Sequence, residues 1–384
     1  MKFLDYGEEF LFDDMPKLYN PTQKVFITHL QCLDSLQLPK KIPKIYTTKA
    51  IAWRLKLLFN CNKEQLLTDA NFVYLDPTKN PHALRLNDEK RIKVYIFEEA
   101  SAARNIMVLL QKDGKITHFY AGACVFMREI ILNDTFVACV AMGVEKLYMD
   151  LRRSKSPCNP NELNDIIDEI DRLLHKNQKL IKIQLIVELF AHEELVAELG
   201  NRLRGLVHLN DKLLSFHGHF LCLEHFQMDV EKARIFIEQE PNTEEYKNRL
   251  ALNSRCHDSH VLITMKLTNE TSIKDKTNNY FELHYSTLPS SFNLKVLASV
   301  VCPSHIYGIT YRNNMMPPSL PEYLRPFCSI PGKVRLPKKS KTRPSSGKPL
   351  PKEKISPNKD TPAPYCIHKT NFEYVDDEDS QSSD

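Results

Sequence analysis

The sequence predicts an α+β fold: a helix-rich body with a mixed sheet, an antiparallel C-terminal sheet, and a disordered C-terminal tail. Three observations predict it. Apolar residues recur at helical spacing through capped segments from Asn133 to Phe216. Runs rich in β-branched and aromatic residues flank that stretch. From Gly332 onward apolar residues give way to Lys, Pro and Ser. The expected organisation is an α+β body over 1–226 with its helical run at 133–216, a small α+β region over 227–330 with about four antiparallel strands, and a basic-then-acidic tail over 331–384.

Asn159–Lys176 carries the clearest helix signal. Asn159 suits the cap, Pro160 the first helical position and Glu162 the capping box, while Leu163, Ile166, Ile167, Ile170, Leu173 and Leu174 form one apolar face. Asp165, Asp168, Glu169 and Asp171 line the opposite face, which is solvated or a partner surface. Upstream, Phe136 to Leu151 reads as one helix closed by Arg152-Arg153, whose charge suits a helix C-terminus. Downstream, 193–206 repeats the amphipathic pattern. Lys179–Phe190 alternates Ile181, Ile183, Leu185, Val187 and Leu189, and fits a buried strand or a buried helix.

Before this run, the acidic-aromatic residues 1–20 read as the first element of the body, with a docking peptide as the alternative. Helices are expected over 22–36, 47–59 and 64–70, and a short strand over 72–75. A strand over 91–97, a helix over 98–111, an Asp113-Gly114 turn and a strand over 116–126 complete that half. Trp53, beside Arg54 and Lys56, reads as a core residue. After the run, helices are expected over 231–239 and 244–252, then strands over 260–267, 280–285, 294–301 and 306–311. Tyr323, Leu324 and Phe327 suit a strap onto the body.

Composition limits the function classes. The chain has ten glycines among 384 residues and no Gly-x-Gly-x-x-Gly, phosphate-loop or Gly-x-Ser-x-Gly pattern, which argues against a nucleotide-cofactor enzyme. The ten cysteines form no Cys-x-x-Cys pair and read as reduced thiols of the cytosol or nucleus. Neither a secretory signal nor a membrane-length apolar run is expected, so no membrane partner follows. His217, His219, Cys222 and His225 invite a zinc site, with Cys256, His257, Asp258 and His260 as distant complements. Read as a strand, however, 217–225 spreads its outer histidines by about 26 Å at ~3.3 Å per residue and turns Cys222 to the other face. No catalytic, cofactor or metal residue is assigned from sequence.

The tail carries the strongest functional signals. Lys338, Lys339, Lys341 and Arg343 form a nuclear import signal or a phosphate contact, and Ser356-Pro357 and Thr361-Pro362 suit phosphorylation. Phe372, Tyr374, Asp376 and Asp377 head an acidic terminus suited to docking. The net charge is +4, but the tail holds most of the imbalance and leaves the body near neutrality, unlike a dedicated nucleic-acid binder. The function expected is therefore a non-enzymatic nuclear scaffold or adaptor, bound to other nuclear proteins and associated with chromatin through non-specific nucleic-acid contact by its basic tail. The alternative is a nucleic-acid- or protein-modifying enzyme whose catalytic residues are dispersed in sequence.

Overall fold

The acidic-aromatic start of the chain is the edge of a sheet. In the computed structural model, residues 2–328 are described apart from 6–7, 17, 21, 32–37, 61–65, 87–89, 126, 156–161, 177–179, 240–259, 269–279, 286 and 310–318. Strand β1 (Lys2–Asp5) pairs antiparallel with β2 (Glu8–Phe12), and β3 (Gln23–Phe26), β4 (Ile45–Thr47) and β5 (Phe72–Tyr74) follow in parallel. The helix expected over 22–36 is replaced at its start by β3. Val25, Phe26 and Ile27 are consecutive and all buried, which a strand covered on both faces accommodates and a one-faced helix does not. Helix α1 (Lys49–Asn60) fills the 47–59 expectation and carries the chain from β4 to β5. The 64–70 helix is reduced to a 3-10 turn at Asp69–Asn71, with 64–65 outside the described residues.

A second sheet has the order β16-β10-β9-β8-β7-β6. Its strands β6 (His82–Arg85), β7 (Arg91–Glu98), β8 (Ile106–Lys112) and β9 (Lys115–Tyr120) form an antiparallel meander, and β10 (Val144–Met149) and β16 (His305–Gly308) extend it in parallel. The expected 98–111 helix is thus a loop and a strand. Ile106, Val108 and Leu110 enter one core while Met107 and Leu109 enter the other, so an apolar run buried on both faces imitates helical spacing. One face meets the first sheet, where the Phe12 and Tyr120 rings stack at 4.4 Å. The other packs against α3 (Asp134–Ala141), with α2 (Arg128–Ile131) before it, and against α7 (Ser291–Val301) and the 3-10 turn Glu322–Phe327, whose Leu324 is fully buried.

The expected helix from Phe136 to Leu151 divides. Gly143, at φ +84°, turns the chain after α3, and β10 begins at Val144, so Arg152 and Arg153 follow a strand rather than close a helix.

The third sheet is parallel throughout, with the order β12-β13-β11-β14-β15. Strand β11 (Leu180–Val187) is central, beside β13 (Ile235–Gln239) and β14 (His260–Thr268); β12 (Val207–Leu209) and β15 (Tyr280–His284) are the edges. Helix α4 (Glu162–Lys176) precedes β11 and buries Ile166, Ile167, Ile170 and Leu174. Helices α5 (Glu193–Arg202) and α6 (Asp211–His217) follow it.

This sheet overturns the antiparallel C-terminal sheet. Residues 260–267 and 280–285 do supply strands, but β14 and β15 run parallel; 294–301 lies in α7, started by the Ser290–Asn293 capping box; and 306–308 belongs to β16 in the second sheet. Parallel neighbours are not the two arms of a hairpin, so the alternation within these runs does not fix the direction in which they pair. Residues 231–239 end as β13, with Ile235 and Ile237 buried by alternation, and 244–252 lies outside the described residues. In place of a strand over 217–225 stand the end of α6 and two 3-10 turns, Gly218–Phe220 and Leu223–His225. Among the described residues no helix is long and apolar enough to cross a membrane.

Candidate ligand pocket at the strand ends

Parallel sheets present ligands at the C-terminal ends of their strands, best where neighbouring connections diverge. In the third sheet that place lies between β11 and β14, because the chain leaves β11 toward β12 and leaves β14 toward β15 on the opposite side. A cavity of about 50 Å³ lies beyond the end of β11, lined by Gln31, Arg152, Glu188, Ala191, His192, Thr287 and Leu288. Glu188 and His192 follow β11, Thr287 and Leu288 follow β15, Arg152 follows β10, and Gln31 lies beyond β3. All three sheets contribute to one polar hollow.

Beneath Gln31, the turn after β3 is fixed by Asp13. This carboxylate is buried at φ +51° and accepts from the Thr28 N–H at 2.6 Å, the Thr28 hydroxyl at 2.7 Å and the Tyr120 hydroxyl at 2.8 Å, with His29 Nδ1 at 3.1 Å. Burial alone would raise the Asp13 pKa, but His29 and the Thr28 donors outweigh it and hold the carboxyl below its ordinary value. Gly122 lies alongside at φ +60°, where a Cβ would come within 2.9 Å of Thr28 Oγ1. Only glycine fits this corner without displacing the hub.

Asp150 orients Arg152. Arg152 Nε donates to both Asp150 oxygens at 3.1 and 3.0 Å, and Nη2 donates to Oδ2 at 2.6 Å. The Asp150 side chain is fully buried and that of Arg152 is 41 % exposed, so a fixed guanidinium plane reaches solvent. Across the hollow, the Glu188 N–H donates to His192 Nδ1 at 3.0 Å, which places the ring proton on Nε2. Burial pushes the His192 pKa down to about 3, so the ring is a neutral donor at ordinary pH. Gln31 Nε2 donates to Thr287 Oγ1 at 2.9 Å and joins the β3 loop to the segment after β15. Gln31 Oε1 is buried and meets no donor among the described residues.

These groups offer a cation, a carboxylate, a neutral imidazole N–H, a hydroxyl and an unfilled acceptor. Cys124, near the Asp13 hub, is no nucleophile: burial, Glu99 and Asp13 raise its pKa well above the ordinary thiol value.

The residues singled out from sequence lie elsewhere. Asp168, Glu169 and Asp171 sit on the outer side of α4, where Arg202 meets Asp168 at 3.3 Å, Arg172 pairs with Glu169, and His175 Nδ1 lies 3.2 Å from Asp171; Asp165 is exposed on the same helix. Lys338, Lys339, Lys341, Arg343, Phe372, Tyr374, Asp376 and Asp377 lie outside the described residues. His217 turns into the core and places Nε2 2.7 Å from the Leu189 carbonyl, whereas His219 meets the Trp53 ring edge-on at 4.6 Å. The pocket residues carry no motif. Their one legible trace is Glu188 and His192 immediately after the apolar alternation of β11.

No known protein family and no curated protein matches the chain. Among solved structures, it is similar to a protein of unknown function from Enterococcus faecalis V583, at 15 % identity and a TM-score of 0.47 over 75 % of each chain.

Proposed function

We propose that the chain binds a small ligand carrying an anionic group beside a hydroxyl or amine donor, and acts on it as an enzyme at the junction of its sheets. The carrying observation is the buried Gln31 Oε1, which lines the hollow without a donor while Arg152 is held by Asp150 at its rim. A ligand O–H or N–H satisfies the first, and a phosphate or carboxylate pairs with the second. The cavity takes a headgroup only: at about 50 Å³ it holds a few water-sized groups. The β11–α5 connection, 188–192, contains no glycine, so side chains rather than backbone hold the anion. Within this reading Glu188 is the candidate proton acceptor and His192 Nε2–H a fixed donor.

Thermal-shift titration with inorganic phosphate, simple sugar phosphates and short hydroxy acids tests the binding. At least one class should stabilise the wild-type chain, with the apparent affinity reduced about tenfold or more in Arg152→Ala and Gln31→Leu; shifts in both variants equal to the wild type's contradict the site.

The nuclear scaffold is retained as a second reading because the acid row of α4 is exposed and the 333–384 segment carries concentrated charge of both signs. Removing 333–384 should then abolish nuclear retention and partner recovery. Unchanged location and partners after that truncation would remove this reading.

A further inference from the structure

The turn after α6 brings together three side chains that a strand would have separated. The 3-10 turn Leu223–His225 gathers Cys222 Sγ, one Glu224 carboxylate oxygen and a His225 ring nitrogen within 4.8 Å of one another. Cys222 Sγ lies 3.3 Å from Glu224 Oε1, and His225 Nε2 lies 3.8 Å from the same oxygen. Tetrahedral zinc with bonds of ~2.3 Å to sulfur and ~2.0 Å to nitrogen and oxygen places such ligand atoms about 3.3–3.6 Å apart. The two edges at Glu224 lie close to these values, and side-chain rotation shortens the Cys222–His225 edge, which is within 4.8 Å.

The second observation is the support behind the ligands. His225 Nδ1 lies 2.9 Å from Asn201 Oδ1, an acceptor, so Nδ1 carries the proton and Nε2 is the nitrogen left for the metal, on the side of Glu224. The turn itself is fixed. His225 N–H donates to the Cys222 carbonyl at 3.0 Å, Gly205 N–H to the His225 carbonyl at 2.9 Å, and Gln227 N–H to the Val207 carbonyl at 2.7 Å. Phe226 lies against α5 at Gly200, where a Cβ would come within 2.5 Å of the ring, so glycine permits the contact that seats the turn on the helix bearing Asn201.

We propose that Cys222, Glu224 and His225 bind one divalent transition-metal ion, with zinc the best match to one thiolate, one carboxylate and one imidazole. Cys222 and Glu224 are exposed, so the fourth position is open to water. Binding converts the Cys222 thiol to thiolate and releases its proton to solvent; no electron is transferred.

Cobalt(II) titration of the full chain reads the site directly. One equivalent should produce a thiolate-to-cobalt charge-transfer band that zinc(II) abolishes, with about one proton released per ion. Cys222→Ser and His225→Ala should lose the band at unchanged circular dichroism, Cys302→Ser should keep it, and Asn201→Ala should weaken cobalt binding about 10–100-fold. A wild-type chain with no band, or a band that persists in both Cys222→Ser and His225→Ala, overturns the proposal.

Discussion

His192 shows how one residue's surroundings set both its chemistry and its contribution to stability. Its folded pKa of about 3 lies below the ~6.5 of an unfolded histidine, and burial is the cause. Below pH ~6.5 the unfolded chain therefore binds a proton that the folded chain refuses, and folding weakens by up to about 1.4 kcal/mol per pH unit until pH ~3. His118 acts in the same sense: burial, then Lys146, pushes its pKa down to about 4. Urea midpoints measured from pH 7 to pH 4 should fall steeply, and His192→Asn should flatten the slope by close to one proton. A slope unchanged in His192→Asn would show that His192 does not stay neutral in the folded chain.

Among the elements, α1, α5 and the loop before β8 are joined by one buried arginine. Arg54 is 1 % exposed and donates from Nη1 to the Ala103 carbonyl at 2.7 Å and from Nη2 to the Ala102 carbonyl at 2.8 Å, with Glu193 at 4.0 Å and the Phe220 ring beneath it at 4.1 Å. Burial pulls its pKa down while Glu193 opposes that, and the Ala102 N–H adds a bond to Glu194 at 2.8 Å. Arg54→Met should destabilise the chain by about 3–5 kcal/mol in chemical denaturation, because two carbonyls and Glu193 lose their partner. Arg54→Lys should recover little, since an ammonium does not reproduce the planar fork. A loss below about 1 kcal/mol in Arg54→Met would contradict the clamp.

The same elements show what the sequence could and could not reveal. Helices α1, α4 and α5 were legible because their apolar residues recur at helical spacing, and α4 alone adds an exposed face, with its acids opposite Ile166, Ile167, Ile170 and Leu174. Strands β3 and β8 imitate helical spacing because strands covered on both faces lose their alternation, as at Val25–Ile27 and Ile106–Leu110. The pocket was hidden for a different reason. Gln31, Arg152, Glu188 and Thr287 are far apart in the chain and unremarkable in composition, and only the strand order brings them together. An extended 217–225 would hold Cys222 and His225 apart, whereas the 3-10 turn at Leu223–His225 brings them together.

At the scale of the whole molecule, three sheets meet so that loops after β3, β10, β11 and β15 surround one hollow, and residues 227–330 supply strands to two of those sheets. Such a body brings dispersed polar groups into one place, which an interaction surface alone does not require. The α4 acids remain outside it, offset by Arg172 and Arg202.

The most direct test is isothermal titration of the wild-type chain, Arg152→Ala and Gln31→Leu with the anion that stabilises the protein most in the thermal screen. Saturable one-to-one binding that weakens about tenfold or more in each variant is the predicted result. No saturable binding by the wild-type chain, or identical affinities in all three proteins, would contradict the strand-end pocket as the functional site.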